Sequence, residues 1–315
     1  MSTEHALHEI GDGTWAYVQR DGGWGWSNAG LIVDGEASLL VDTLFDLRLT
    51  AEMLEAMRRA SAAAEQIDVV VNTHANGDHC YGNQLVATAE IVSSRASAEE
   101  MEAVPPSLLA SFVAAAPDLP APLGTYLTDI FGEFSFDGIE LVAPTRTFDE
   151  ALSLTVGART VELYELGPAH TGGDVAVHLP DAGVVYTGDL VFHGGHPIVW
   201  AGPVAHWITA CDRLLALEPS IVVPGHGPVA DRACVEAERA YLSWLVEEGT
   251  PRLESGLSPM EAAQDLRSEG TPYDDWNESE RLVVNLTALS RDLGQAPAAD
   301  IVTLFGEMAE LRAAG

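Results

Sequence analysis

Val69-Val70-Val71-Asn72-Thr73-His74-Ala75-Asn76-Gly77-Asp78-His79 is the stretch on which the reading of this chain turns. Its β-branched apolar start is the mark of a short buried strand, and it empties directly into residues with metal-ligating side chains. Along an extended segment alternate side chains share a face, so His74, Asn76 and Asp78 can point the same way. Gly77 permits a tight bend that brings His79 round to the same centre. Imidazole nitrogens and carboxylate oxygens are donors that Zn²⁺, Mn²⁺ or Fe²⁺ accept. A polar loop with two surface histidines is the competing reading of this segment taken alone.

Three more strand ends carry the same kind of residue. Gly167-Pro168-Ala169-His170-Thr171-Gly172-Gly173-Asp174 follows the apolar run from Thr160 to Leu166. Val184-Val185-Tyr186-Thr187-Gly188-Asp189 ends on a carboxylate, and Ile221-Val222-Val223-Pro224-Gly225-His226-Gly227 ends on a histidine. Glycine stands beside these residues, as expected where backbone turns sharply or approaches closely.

In this order the residues resemble the metallo-β-lactamase superfamily of metallohydrolases. Its signature is His-x-His-x-Asp-His, then Gly-x-x-His, a bridging Asp after a strand, and a last His in a Pro-Gly-His-Gly type turn. The likeness runs from about Val33 to Pro228. It implies an α/β fold, the four-layer αβ/βα sandwich of that family, here with a helical insertion and a C-terminal helical extension. Carried over, it implies that His74 and His170 serve a first metal site. Asp78, His79 and His226 would serve a second, with Asp189 bridging. The implied cofactor is Zn²⁺, one ion or two, with Mn²⁺ or Fe²⁺ as alternatives. Asp42 stands where the family has a structural Asp. Asn76 departs from the pattern, replacing the signature's second His. An amide oxygen is a weaker ligand than imidazole, so the first site is expected to be less reliably filled. Asn76 is either a ligand or an outer hydrogen-bonding residue.

Composition narrows the chemistry. All 15 basic residues are Arg, which excludes a Schiff-base lysine, a Walker-type lysine and a Ser-Lys pair. It also removes the lysine with which many β-lactamases hold the drug's carboxylate. The net charge of −33 makes nucleic acid and anionic membranes unfavourable partners, and the resemblance implies a small-molecule substrate. Cys80, Cys211 and Cys234 neither build a disulfide framework nor show paired metal spacing. No apolar run follows Met1, so the expected location is the cytoplasm.

The expected organisation is a metallo-β-lactamase-like domain over residues 1–249 and a helical extension over 250–315. His8 to Asp42 reads as short strands with Gly-rich turns, and Leu49 to Ala64 as a helix that Thr50 could cap. Gln84 to Ala103 continues in a βαβα manner. An insertion over about 96–136, rich in Pro and bulky apolar residues from Pro105 to Phe136, is either a helical hairpin closing the core or a lid over the site. Trp207 to Leu217 and Asp231 to Glu248 read as helices. So do Pro259 to Arg267, Glu278 to Leu293 and Ala298 to Ala313, which pack on the core or pair two copies of the chain. In Gly22-Gly23-Trp24-Gly25-Trp26-Ser27-Asn28, the two indoles either cover the core or form a flap over substrate.

The chemistry expected is hydrolysis by metal-activated water of an ester, thioester, lactone or lactam-like carbonyl. A bound divalent ion lowers the pKa of its water to about 7. Asp78 would orient that water and accept its proton. His193, and less so His196, lie on the loop after Asp189, where a proton donor or substrate contact could sit. The alternatives are a mononuclear iron oxidoreductase on the same fold and a degenerate binding protein.

Overall fold

The computed structural model describes residues 5–19, 22–295 and 299–314. A first sheet holds, side by side in chain order, β1 (Ala6–Gly11), β2 (Thr14–Val18), β3 (Ala29–Asp34), β4 (Ala37–Val41), β5 (Val69–Val71), β6 (Glu90–Ser94) and β7 (Arg146–Phe148). Its first half is a run of antiparallel hairpins, and from β4 onward the strands are parallel. The second sheet comprises β8 (Ala151–Val156), β9 (Arg159–Glu165), β10 (Val175–Leu179), β11 (Val184–Phe192) and β12 (Ile221–His226), in the order β12-β11-β10-β9-β8. Only its β11–β12 pair is parallel.

Strands buried on both faces read as continuous apolar runs. β10 and β11 are buried along their whole length. Between the sheets Ile32, Val41, Val71 and Val92 meet Val161, Val177, Tyr186 and Val223. The outer faces are covered by helices: α1 (Leu47–Ala60), α2 (Gly77–Cys80), α3 (Arg95–Glu100), α4 (Pro106–Ala115), α5 (Leu123–Phe131), α6 (Val204–Ala216), α7 (Ala233–Glu254), α8 (Pro259–Glu269), α9 (Leu282–Asp292) and α10 (Ile301–Ala313). This is the expected α/β sandwich with its helical extension.

Local details differ from the sequence reading. Helix α1 is capped by Asp46, whose Oδ1 accepts from Leu49 N at 2.7 Å. Thr50 lies inside the first turn and donates to the Asp46 carbonyl at 2.9 Å. A carboxylate ahead of the helix is the better cap because it also meets the positive end of the helix dipole. Helix α7 runs through Pro251 to Glu254, so helix rather than linker spans residues 249 and 250. The insertion supplies α4 and α5 and an aromatic cluster in which Phe134 and Phe136 lie 4.9 and 4.8 Å from the Phe45 ring. Helix α10 buries Leu304, Phe305 and Met308. Its expected start at Ala298 falls outside the described residues; Asp300 caps it, accepting from Thr303 N at 3.0 Å. Among the described residues no helix is long and apolar enough to cross a membrane.

Candidate metal centre

The strand ends named above converge. Parallel pairing of β4 with β5 sets Asp42 beside Thr73, whose amide and hydroxyl donate to the Asp42 carboxylate, each at 2.7 Å. Asp42 Oδ2 then faces His79 Nδ1 at 2.9 Å. Asn72 Nδ2 donates to the His79 carbonyl at 2.9 Å, closing the loop that carries His74 to His79. His226 ends β12, and its turn is tied to the Trp24 loop, where Asn28 Nδ2 donates to the carbonyls of Pro224 and Gly227 at 2.9 and 2.7 Å. Asp189 stands opposite, on β11. Gly225 is glycine for want of space, since a Cβ there would overlap the Asp189 carboxylate.

All four histidines are pinned through Nδ1 and present Nε2 to the centre. His74 Nδ1 meets Thr73 Oγ1 at 3.0 Å, His79 meets Asp42, His170 meets the Ile198 carbonyl at 2.7 Å and His226 the Gly22 carbonyl at 3.1 Å. Such outer partners set tautomer and ring orientation in metal sites. Asp189 is the hub: its oxygens lie 3.1 Å from His79 Nε2, 3.3 Å from His170, 3.4 Å from His226 and 3.8 Å from His74. Asp78 Oδ2 lies 3.3 Å from His226 Nε2 and 3.8 Å from His79 Nε2. Among the described residues two groups have donor atoms close enough for one ion, His74-His79-Asp189 and Asp78-His79-His226. The second is the expected trio. In the first, His79 stands where His170 was expected.

Asn76 lies against His170. Its Nδ2 is 3.1 Å from His170 Nε2. With His170 Nδ1 against the Ile198 carbonyl, Nε2 carries the lone pair and accepts from the amide. Asn76 therefore caps the nitrogen a metal would use. Replacing Asn76→His exchanges this donor for an imidazole, and we expect about tenfold tighter binding of a second zinc ion. Titration against a competing chelator measures it; an unchanged isotherm would mean that position 76 does not face the metal.

Burial and charge describe a site built for a cation. His74 Nε2, His79 Nε2 and Asp189 Oδ1 are buried without a hydrogen-bond partner, which native structures rarely tolerate. A divalent ion supplies what these atoms lack, so the residues fit it. Burial pulls the His226 imidazole down, but Asp189 and Asp78 outweigh it and carry it up to about 9. His79 moves up for the same reason, with Asp42 adding to the pull. Burial pushes the carboxyl of Asp189 up, yet the histidines led by His226 and His79 hold it well below the usual range. His170, for which burial dominates, falls to about 4 and keeps its lone pair.

A cavity of about 400 Å³ opens on the centre, with Asn76, Asp78, His170, Asp189 and His226 at its polar end. Trp24 lines it, whereas Trp26 packs into the core 4.7 Å from the Phe134 ring, so one indole borders the cavity and the other covers the core. The insertion contributes Leu109 and Phe131 to the wall while closing the core. His193 and His196 are not brought into it. His193 Nδ1 faces the Pro228 carbonyl at 2.9 Å, and His196 is buried between Tyr241 Oη and the Tyr273 carbonyl at 3.1 and 3.3 Å. Cys80, beside His79, is a buried thiol pushed up by desolvation.

Arg281 and Glu100 are cavity residues that the sequence reading missed. Arg281 is 2% exposed, ion-paired to Glu278 at 2.6 Å, and donates to the His196 carbonyl at 2.9 Å. Its guanidinium lies 4.4 Å from the Trp24 ring centroid and 5.2 Å from that of Phe192, which stacks on His226. The Trp24 loop, the segment after Asp189 and the C-terminal extension thus meet on one side chain. No spacing in Asn277-Glu278-Ser279-Glu280-Arg281 announces this.

Residues 22–226 match the family model described as the metallo-beta-lactamase superfamily. The linear primary-alkylsulfatase of Pseudomonas sp. (strain ATCC 19151) is 24% identical over 262 residues, 74% of this chain and 48% of its own length. The 2,4-dinitroanisole O-demethylase subunit alpha of Nocardioides sp. (strain JS1661) is 36% identical over 114 residues, 35% of this chain and 34% of its own. The hydroxyacylglutathione hydrolase of Fuscovulum blasticum is 25% identical over 167 residues, 51% and 60% respectively. The chain thus spans from about a third to three fifths of the length of these relatives. The solved sec-alkylsulfatase Pisa1 from Pseudomonas sp. aligns with TM-score 0.69 at 17% identity, over 93% of this chain and 51% of that one. The metallo-β-lactamase FIM-1 from Pseudomonas aeruginosa, solved in a mono-zinc form, aligns with TM-score 0.55 at 22% identity, over 76% and 95%. At these identities the structures share the fold.

Proposed function

Because the chain belongs to the metallo-β-lactamase superfamily, we propose that it is a metal-dependent hydrolase of a small-molecule ester, thioester, lactone or lactam-like substrate. The observation that carries this reading is the convergence of buried, unpartnered Nε2 and carboxylate atoms on a centre whose histidines are all held from behind. His74, His79, Asp78, Asp189 and His226 would hold the metal, with His170 and Asn76 beside it; zinc is the ion proposed. A divalent ion there lowers the pKa of a coordinated water and polarises the substrate oxygen.

The chain's own residues supply the rest. Burial pushes the Asp78 carboxyl up, but His79 and His226 outweigh it and keep the group below the ordinary carboxylate range. Asp78 is therefore ionised at neutral pH and can accept the proton of the attacking water. It also lines the cavity, where such a water must lie. Asp189 balances the positive charge and fixes the spacing of the histidines around it. A cytoplasmic location belongs to the same proposal, as does pairing of copies through the C-terminal helices, where Val302 is 52% exposed.

Asp189→Asn keeps the size of the hub and removes its charge. We expect at least about a tenfold loss of catalytic rate, equivalent to about 1.4 kcal/mol of barrier, with an unchanged circular dichroism spectrum. The measurement is turnover of the zinc-loaded protein on a panel of esters, thioesters, lactones, β-lactams, alkyl sulfates and aryl ethers. A mutant as fast as the parent would overturn the proposal. Bound iron with a visible absorption band and no hydrolysis would point to the oxidoreductase alternative.

A further inference from the structure

The cavity is asymmetric. Its polar atoms gather at the end that holds Asp78, His170, Asp189 and His226, while the rest of the wall is mainly apolar. That apolar part is assembled from elements far apart in the chain. Trp24 comes from the loop before β3, Phe131 from α5, Trp200 from the segment after β11, and Ile301, Leu304 and Phe305 from α10. Phe305 sits at the meeting point, with its ring centroid 5.6 Å from Phe131, 5.7 Å from Trp24 and 6.3 Å from Trp200. The roof is therefore built by the insertion and by a helix beyond the residues matched to the family.

At about 30 Å³ for a water-sized group, a volume of about 400 Å³ holds on the order of a dozen heavy atoms. Such a space is within the ordinary size of ligand pockets, where apolar walls bind a body and a few polar groups orient it. We infer that the substrate is amphiphilic: a polar scissile group at the metal end joined to an extended alkyl or aryl body seated under α10, with Ile301, Leu304 and Phe305 setting how long that body can be. The metal end is lined by ligand-type side chains, so an apolar body is better seated against the apolar part of the wall. Of the polar groups outside the metal end, Glu100 is held by the Gly172 amide at 2.9 Å, Arg281 by Glu278, and Thr171 by Asp174, which leaves the buried Trp24 Nε1 as a donor without a hydrogen bond. A substrate with its scissile group at the metal end and its body under α10 matches both ends.

The inference refines the hydrolase reading but can be tested apart from it. The full chain, loaded with zinc, is titrated with straight-chain primary alcohols from ethanol to decanol, followed by tryptophan fluorescence. Affinity should improve about threefold to fourfold for each added methylene until the cavity is full. Ile301→Trp fills the cavity and should cancel that gain for the longer alcohols. Should that variant not fold, Ala201→Phe adds bulk to the wall of the same cavity and carries the same expectation. Affinity independent of chain length, or a parental length dependence in the filled variant, overturns the inference. In parallel, p-nitrophenyl esters from acetate to decanoate should show kcat/KM rising at least tenfold with acyl length. Length-dependent alcohol binding without turnover of any ester would remove the proposed hydrolysis and leave the apolar site standing. Turnover with neither length dependence would do the reverse.

Discussion

Replacing His79→Ala is expected to strip the protein of most of its divalent metal and to lower turnover by at least about a hundredfold. Loss of an outer partner alone costs metal sites about tenfold to a hundredfold, and His79 contributes to both groups of donors. It is fully buried, and its Nε2, 3.1 Å from the Asp189 carboxylate, makes no hydrogen bond. Metal analysis after dialysis and turnover of the zinc-loaded protein measure the effect. Removing this ring also leaves Asp42 buried without its imidazole, so the variant could lose stability for a reason unrelated to metal. His226→Ala avoids this, because its Nδ1 faces only the Gly22 carbonyl. Both variants should lose metal, and parental stoichiometry with parental turnover in a folded His226→Ala protein would sink the assignment.

Arg281→Met should be the most destabilising change outside the centre, costing about 3–5 kcal/mol. The guanidinium and the Glu278 carboxylate have side-chain exposures of 2% and 13%, so each depends on the other for its charge. Burial holds the Glu278 carboxyl above its usual range and Arg281 pulls it down. Without the arginine, Glu278 is left to protonate or to stay charged in an apolar setting. Its folded pKa then rises further above the unfolded value, so the remaining stability decreases as pH climbs from acid towards neutral. Urea unfolding at two pH values tests this, and Glu278→Gln combined with Arg281→Met should recover much of the loss. A single mutant within about 0.5 kcal/mol of the parent would show that the pair is not a clamp.

The stretch from Val69 to His79 and the three later strand ends contained the outline of the fold and the identity of the converging side chains. They did so because the converging residues here sit at the ends of buried strands, and such strands leave a local trace of β-branched runs followed by Gly and ligand-type residues. The Trp24 loop was legible only as a choice between core and flap, since an indole serves either purpose. Its two tryptophans turned out to face different ways. Thr50 was read as a cap because it precedes an Ala-rich run, but Asp46 competes for the same amides and lies in the better position.

By itself the sequence carried the helical tail and the set of ligand-type residues as short-range patterns and residue chemistry, and the sandwich through the likeness of its motifs to the metallo-β-lactamase superfamily. Only the tertiary structure placed Asn76 against His170 and brought His79 within reach of both groups of donor atoms. It also decided that His193 and His196 turn away from the cavity, that Arg281 ties three segments together, and that α10 roofs the site. Each of these depends on contacts between residues tens to hundreds of positions apart. The same amphipathic spacing in α10 fits a helix packed on the core, on a second copy or over a cavity. Which of these surfaces it meets is set by the geometry of the packed sheets, and no local pattern records it.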